Sequence, residues 1–372
     1  MKQLDEFREI LKDPVSYGRN LKEQGRRIVG YFCSYTPEEI IYAAGAHPFR
    51  IFAAGGNIHF ADAHLQSYCC SLVRGALEGA LAGNLDFLDG AVFPHTCDSI
   101  QRLSDIWRMN VKGPFHVDVV LPVKLDTESA KAYMIDVLKK FRHDLASHLR
   151  VEITDDKLKN AIKTFNAIRG SLKRLYELKV ENPGIIGGSD LHAIVKASMM
   201  IDRDYLSKAL PAVIEELERK RGNANPYTDK RIILAGGACN HPDIYRIIEE
   251  SGGVVVWDDF CTGSRYFEET TRDNADPIAA IAGRYMDRPI CPAKHAGIFT
   301  RGENLLKMIK EKNARGVVFF FLKFCDPHAF DYPYMKEFLD REGIPNMILE
   351  VEDQLPSEGQ LRTRFETFVD ML

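Results

Sequence analysis

Several features that mark large classes of protein are scarce in this 372-residue sequence. Lysine and arginine number 49 against 53 aspartate and glutamate residues, so the net charge of −4 provides no basic excess for holding a nucleic-acid backbone. No apolar run is long enough to span a bilayer. The charged start, MKQLDEFREILKDP, lacks the apolar core of a secretion signal. We therefore expect a cytoplasmic protein that binds neither nucleic acid nor membrane.

The 8 cysteines lack the spacings of the commonest cysteine sites. None forms the C-x₂-C pairs that are typical of structural zinc. Disulfides are disfavoured in a reducing compartment, and a chain of this length does not need them for stability. Buried inert thiols are the simplest interpretation, and a single catalytic cysteine is another, although no histidine stands in a suggestive position.

Hydrophobic patterning predicts an α/β protein. Hydrophobic residues make up 45% of the chain, which is enough for the cores of two or three domains of about 150 residues each. We expect strands at 27–33, 47–53, 90–94, 115–121, 231–234, 253–257, 316–322 and 346–351. Helical patterns separate most of these strands, and several strands are continuous apolar runs, as in parallel sheets covered on both faces.

Between the two sets of strands, the pattern is mainly helical and rich in charge. The chain is therefore predicted to contain two α/β domains joined by a helical region. We place the boundaries at 1–125 for the N-terminal α/β domain, 126–228 for the helical region and 229–372 for the C-terminal α/β domain.

Two helix starts are predicted from local chemistry. Thr36, Pro37 and Glu39 suggest a helix with a threonine cap, a proline in the first turn and a glutamate closing a capping box. A second helix is expected over about 63–82, with Cys69 and Cys70 inside it. Side chains of adjacent helical residues point about 100° apart, so only one of these two thiols would face a shared site.

Four cysteines stand at or just past the carboxyl ends of predicted strands. The segments are VGYFCSYTPEEI (29–40), AVFPHTCDSIQRL (91–103), VVVWDDFCTGSRY (254–266) and VFFFLKFCDPHAF (318–330). In open parallel sheets, ligands bind in the crevice outside these strand ends. Soft thiolates suit zinc, copper or iron–sulfur clusters, and a cluster best fits cysteines so far apart in sequence.

The sequence resembles the 2-hydroxyacyl-CoA dehydratase and benzoyl-CoA reductase subunit family. The matching stretches are GYFCSYTPEEIIYAAGAHPFRI, SYCCSLVRGALEGAL, LDGAVFPHTCDSIQRLSDIW, LKFCDPHAFDYPYMKEFLDREGIPNMILEVED and GQLRTRFETF. The resemblance implies two flavodoxin-like parallel-sheet domains joined by helical segments, with an oxygen-sensitive iron–sulfur site between the domains. It also implies that electrons arrive singly from a separate ATP-hydrolysing iron–sulfur activator protein.

The resemblance further implies a set of cluster ligands. The ligands common in the family match Cys70, Cys97 and Cys325, whereas this chain also has Cys33, Cys261 and Cys291. A branch of the family with six such cysteines is the most similar, and its members hold a double cubane, which is two four-iron cubanes linked by a bridging sulfide. Cys69 and Cys239 fall outside this pattern, and we interpret them as packing thiols or as thiols close to the ligands.

Three functions remain open from the sequence. The first is an iron–sulfur reductase component, as a homodimer, that receives electrons from the activator and reduces small molecules at a double cubane. The second is a subunit of an acyl-CoA dehydratase or benzoyl-CoA reductase with one four-iron cluster, usually in a heterodimer with a related subunit. The third is a non-enzymatic electron-storage protein. No catalytic residue is assigned. Arg74 and Arg265 could offset thiolate charge, although ordinary ion pairs would explain them equally well.

Overall fold

Two four-stranded parallel sheets form the centre of the protein in a computed structural model, which describes residues 1–53, 57–220, 229–272, 274–352 and 354–372. The first sheet has the order β2-β1-β3-β4 and the second has the order β6-β5-β7-β8. Every neighbouring pair of strands is parallel. The strands are β1 (Ile28–Tyr31), β2 (His47–Arg50), β3 (Gly90–Pro94), β4 (Phe115–Val119), β5 (Arg231–Gly236), β6 (Val254–Asp259), β7 (Gly316–Leu322) and β8 (Asn346–Val351).

Both sheets share one topology. Counted along each sheet's own strands the order is 2-1-3-4, which matches the first four strands of the flavodoxin-like arrangement. The prediction of two such parallel sheets is therefore confirmed. In this arrangement the strand order reverses between the first and third strands, and ligands bind at that reversal beside the carboxyl ends. The reversals lie between β1 and β3 and between β5 and β7.

Helices cover the sheets and fill the segment between them. They are α1 (Lys2–Lys12), α2 (Pro14–Glu23), α3 (Glu38–Ala43), α4 (Ser71–Leu81), α5 (Asp98–Asn110), α6 (Glu128–Leu149), α7 (Asp155–Glu181), α8 (Gly188–Ser198), α9 (Arg203–Lys220), α10 (Asp243–Glu250), α11 (Ser264–Phe267), α12 (Pro277–Asp287), α13 (Thr300–Glu311), α14 (Asp326–Arg341) and α15 (Glu358–Asp370). In the described ranges, no helix is both long and apolar enough to cross a membrane.

The strands are buried because their sequences are apolar on both faces. All seven residues of β7, GVVFFFL, are buried, and so are all residues of β1, β3 and β6. The middle of the chain contributes α6 to α9, as the helical periodicity predicts. The domain boundaries after residues 125 and 228 stay predictions, and the second adjoins 221–228, which lie outside the described residues.

Helix α4 starts later than its sequence predicts. It begins at Ser71, so Cys69 and Cys70 precede it, and the expected angle of about 100° between their side chains does not apply. The carboxylate of Glu78 accepts hydrogen bonds from the backbone N–H groups of Phe60 and Ala61 at 2.8 and 2.9 Å. These contacts fold the preceding segment back onto the helix, which favours a turn there over continued helix.

The predicted capping box on α3 is wrong. The Thr36 hydroxyl donates to the carbonyl of Phe32 at 2.6 Å instead of capping the helix. Glu39 does not reach back to the helix start, because its buried carboxylate pairs with Arg169 on α7. Next to it, Glu38 pairs with Arg203 of α9 at 2.6 Å. These two buried ion pairs fix α3, and with it the loop that follows β1, against the helical middle of the chain.

Candidate metal centre

Three cysteines each occupy the position just before a helix. Cys70 precedes α4, Cys97 precedes α5 and Cys325 precedes α14, and these helices have 11, 13 and 16 residues. We call these cysteines the helix-cap trio. The first N–H groups of a helix have no partner within the helix, and together with the helix dipole they favour an anion at this end. Each sulfur of the trio is thus placed where a thiolate is favoured.

Burial has the larger effect on the protonation of this trio. It raises the pKa of Cys97 to about 12, and the N–H group of Ile100 opposes this shift only in part. Burial also raises the pKa of Cys70 and takes that of Cys325 well above its ordinary value. These thiols therefore keep their protons near neutral pH until a metal displaces them, because cysteine binds metals as the thiolate.

The other three predicted ligands form a second group, which we call the arginine-lined trio. Cys33 follows β1, Cys261 follows β6, and Cys291 lies in the loop after α12. Cys33 has a φ of 56°, in the left-handed region that non-glycine residues rarely adopt. Such backbone strain costs of order 1–3 kcal/mol and tends to occur at functional sites. The loop after β1 therefore holds its thiol in a costly conformation.

The sulfurs of Cys261 and Cys291 interact directly. A hydrogen bond from Cys291 lowers the pKa of Cys261 well below its ordinary value, and the charges of Arg265, Arg50 and Arg288 lower it further. The same bond and burial raise the pKa of Cys291 well above its ordinary value. Cys261 is thus the anionic partner of the pair.

Each of the six thiols takes part in at least one electrostatic interaction with another of them. The charges of Cys70 and Cys33 raise the pKa of Cys97, and those of Cys70, Cys97 and Cys261 raise the pKa of Cys325. The charges of Cys261 and Cys33 likewise raise the pKa of Cys291. The structure therefore brings the six sequence-predicted residues near one another, with Cys33, Cys97, Cys261 and Cys325 just past the carboxyl ends of four strands. Their role as metal ligands stays a prediction.

The spacing of these thiols is unlike that of a site for one metal ion. No three His, Cys, Asp or Glu side chains among the described residues are placed to hold a single ion. A tetrahedral zinc site needs every sulfur at about 2.3 Å from one metal. An iron–sulfur cluster instead offers a different iron to each thiolate, so its ligands can stand farther apart. Six soft donors that influence one another's pKa without forming a site for a single ion fit a cluster.

Buried cations without carboxylate partners surround the arginine-lined trio. Arg50 and Arg288 are each 2% exposed, and Lys294 is 1% exposed. In the part of the chain that the structure describes, none of the three forms an ion pair, whereas Arg265 and Arg301 share Asp259. Removing a charge from water without a counter-ion is strongly unfavourable. An anionic group among these side chains would remove that cost.

Unused hydrogen-bond donors point to the same requirement. Arg50 Nη1, Arg265 Nη1 and Arg288 Nε are buried and lack hydrogen-bond partners among the described residues. Buried polar atoms in native proteins are nearly always hydrogen-bonded, so an exception calls for an explanation such as a bound group. The sulfides of a cluster would accept such bonds and carry the matching negative charge. The residues present therefore fit an iron–sulfur group.

A pocket of about 450 Å³ opens between Cys97 of the helix-cap trio and the loop that carries Cys291. Cys97, Lys294 and Asp326 are among its lining residues, and Phe330 and Tyr334 lie at its wall with 78% and 44% of their surfaces exposed. Arg301, also in the lining, is held by Asp331 at 2.6 Å. A small molecule can thus approach Cys97 from solvent.

The two cysteines outside the predicted set have local partners. Cys69 is close to Gln66, with 3.8 Å between Sγ and Oε1. Cys239 is fully buried, its sulfur lies 3.6 Å from the carbonyl oxygen of His241, and burial raises its pKa to about 12. Cys239 thus has the contacts expected of a packing thiol, whereas Cys69 adjoins Cys70 and raises its pKa, as expected of a thiol close to the ligands. Arg74 pairs with Asp62 at 2.6 Å, as expected of an ordinary ion pair.

Sequence reasoning found Arg265 but missed Arg50, Arg288 and Lys294. Arg50 ends the apolar strand β2, and Arg288 and Lys294 flank Cys291 in the segment RPICPAK. A cation at the end of a buried strand or within a cysteine-bearing loop is a signal that could have identified them. Whether such a cation meets a carboxylate or a thiol depends on distant segments, so the signal is weak without the structure.

Residues 33–372 match the family model described as the D-component of 2-hydroxyglutaryl-CoA dehydratase. The chain is 27% identical to the (R)-phenyllactyl-CoA dehydratase beta subunit of Clostridium sporogenes, over 100% of this chain and 99% of the relative. It is 26% identical to the beta subunit of (R)-2-hydroxyglutaryl-CoA dehydratase from Acidaminococcus fermentans, over 99% and 98%. It is also 26% identical to a benzoyl-CoA reductase subunit from Thauera aromatica, over 94% and 92%.

Proposed function

The chain belongs to the family of the 2-hydroxyglutaryl-CoA dehydratase D-component, and from this premise we propose that it is an iron–sulfur reductase component that carries a double cubane. Its relatives are subunits of dehydratases and of a reductase, so it is a component of an enzyme. The observation that carries the proposal is the convergence of six thiols from both sheets beside buried cations that have no carboxylate partner among the described residues.

Each trio would supply three thiolates to one half of the double cubane. Bound there, the cluster would store low-potential electrons and pass them to a small molecule. The helix N-termini stabilise the thiolates of one trio and the buried cations stabilise those of the other. The surrounding strands and aromatic side chains limit the access of water, which helps to set the reduction potential.

The substrate is proposed to enter the pocket that contains Cys97. Its volume of about 450 Å³ lies in the range of small-molecule sites. Electrons would come from an ATP-hydrolysing iron–sulfur activator, and the working unit would be a homodimer. The names of the relatives, which are all subunits, support the presence of a protein partner. A cytoplasmic location remains our expectation.

A second candidate function is a subunit of an acyl-CoA dehydratase or benzoyl-CoA reductase with one four-iron cluster, paired with a related subunit. One feature favours it: Cys70, Cys97 and Cys325 are mutually coupled and match the ligands expected across the whole family. Under this alternative, the arginine-lined trio would hold no iron, and its buried cations would keep no counter-ion beyond the thiols themselves.

Counting iron and acid-labile sulfide after anaerobic purification separates the two functions. A double cubane gives about eight irons per chain and a single cubane gives about four. Electron paramagnetic resonance under reduction then reports whether the iron belongs to a cluster. Incubation with an acyl-CoA ester, followed by activator-dependent turnover, tests the substrate class. A protein that is isolated and reconstituted anaerobically without any iron would contradict both functions.

A further inference from the structure

The two trios differ in charge. We propose that Arg50, Arg265 and Arg288 make the arginine-lined trio the end at which the first electron is held, and that the helix-cap trio at the pocket is the more strongly reducing end, where the substrate is reduced. This inference rests on the proposed double cubane. It assigns the order in which the two ends of the cluster are reduced within one chain.

Arg288 joins two loops of the arginine-lined trio. It lies three positions before Cys291, and its Nη1 and Nη2 donate to the carbonyl and hydroxyl oxygens of Ser34 at 2.7 and 3.0 Å. Ser34 directly follows Cys33. The guanidinium stacks on Tyr35 at 3.8 Å from the ring centroid, which leaves Nε free of hydrogen-bond partners among the described residues. One cation thus lies between two of the three thiols.

Arg50 and Arg265 add charge from the two sheets. Arg50 ends β2 and is in register with Tyr31, two residues before Cys33. Its side chain packs over the rings of Tyr31 and Phe52 at 5.6 and 5.5 Å and forms no ion pair within the described ranges. Arg265 follows Cys261 by four residues and reaches across to the carbonyl of Gly236 at the end of β5. Its counter-ion Asp259 is shared with Arg301.

The helix-cap trio has a different environment. Its three sulfurs face helix N-termini, which contribute partial charges of roughly half an elementary unit each, compared with full charges on the arginines. Lys294 lies between the two trios, since the charges of Cys33, Cys291 and Cys97 all act on its pKa. Among the six thiols, Cys97 alone is part of the pocket lining. The pocket is also lined by Lys294 and Arg301, so a bound molecule meets these cations together with the thiol of Cys97.

The order of reduction follows from elementary electrostatics. Reduction adds negative charge, and a nearby buried cation stabilises that charge more strongly in a protein interior than in water. One electron lost by a one-electron donor is gained at the arginine-lined end. A further electron occupies the helix-cap end at a lower potential. The helix-cap end, whose Cys97 lines the pocket, then has the greater driving force for reducing a bound molecule.

The test is an anaerobic reductive titration of the full-length protein with dithionite, followed by electron paramagnetic resonance at each potential. We expect two reduction steps in the wild type. Arg50→Gln and Arg288→Gln should shift the higher-potential step to more negative potential and leave the lower step nearly unchanged. Arg50→Lys keeps the charge and should restore the position of the first step. The matched control is Arg102→Gln, because Arg102 lies on the helix that follows Cys97 but pairs with Asp98 at 2.7 Å on the surface.

A second variant tests the assignment without altering an arginine. Cys33→Ser should abolish the higher-potential step and leave the lower step with about four irons. Loss of the lower step instead, or equal shifts of both steps in the arginine variants, overturns the inference while the double cubane stands. Should Arg50→Gln lose its iron, the Arg50→Lys and Cys33→Ser titrations decide the question. A wild type with about four irons overturns the proposed double cubane and this inference together.

Discussion

The first and second sheets have the same strand order, but different side chains follow the ends of their strands. After the third strand of each sheet, Cys97 and Cys325 take the same place, just before a helix. After the first strand the two sheets differ. Cys33, which follows β1, interacts with Cys291, whereas Cys239, which follows β5, bonds to the nearby carbonyl of His241. A cysteine that follows a parallel strand therefore lies near the crevice, but its thiol does not always face the other thiols there.

Backbone and side-chain geometry explain this divergence. In the first sheet, Cys33 follows β1 in a left-handed conformation, and its thiol affects the pKa of Cys97 and of Cys291. In the second sheet, the end of β5 is too crowded for a side chain, since a Cβ on Gly236 would lie 1.9 Å from the carbonyl oxygen of Phe320. The guanidinium of Arg265 bonds to the Gly236 carbonyl there. One sheet offers a thiol where the other offers a cation.

The largest effects are expected at the matched third-strand positions. Cys97→Ser and Cys325→Ser should each weaken cluster binding at least about 100-fold, because even residues that only support metal ligands contribute 10- to 100-fold. The measurement is iron content after anaerobic reconstitution and desalting. If one variant retains full iron while the other loses it, the two sheets are not equivalent at this position.

The next effect contrasts the first-strand positions. Cys33→Ser should reduce iron from about eight to about four per chain, and Cys261→Ser should do the same. Cys239→Ser is the matched control and should keep the full iron content, because Cys239 bonds to His241 rather than to the other thiols. Full iron in both Cys33→Ser and Cys261→Ser would show that the arginine-lined trio holds no metal.

Stability should also depend on the ion pair that anchors the first sheet's thiol loop. Arg203→Met leaves the carboxylate of Glu38 buried without its partner, and we expect the free energy of unfolding to fall by about 3–5 kcal/mol. Urea denaturation of the apo-protein measures this change. Lys336→Ala removes an exposed pair with Asp340 and should cost no more than about 0.5 kcal/mol. Similar losses in both variants would contradict the anchoring role of the buried pair.

The smallest effect concerns pH and the start of β2. Burial lowers the pKa of His47 to about 3, and its ring bonds to the carbonyl of Met200 at 2.6 Å. The unfolded state binds a proton at His47 near pH 6.5, whereas the folded state does not. The contribution of neutral His47 to the free energy of unfolding is therefore complete above about pH 6.5 and is lost as the pH falls toward 3. We expect a loss of roughly 1 kcal/mol per pH unit in that window, by urea titration. His47→Gln should reduce the slope, and an unchanged slope would place the titration elsewhere.

Much of the fold follows from local sequence. The predicted limits of β3, β7 and β8 agree with the structure at both ends. These strands are largely apolar runs, and such a pattern is encoded in neighbouring residues. The predictions for the start of α4 and the role of Glu39 are wrong, because Glu78 and Arg169 impose tertiary contacts that local rules do not contain.

The sequence by itself determined two parallel sheets, a helical segment between them and four thiols near strand ends, since apolar periodicity and strand direction depend on adjacent residues. The tertiary structure decided which thiols act on one another and which cations face them. Arg288 and Ser34, for example, lie 254 positions apart and meet only because the fold brings their two loops together. The energy of a buried charge depends on the groups that surround it in space, and those groups come from distant parts of the chain.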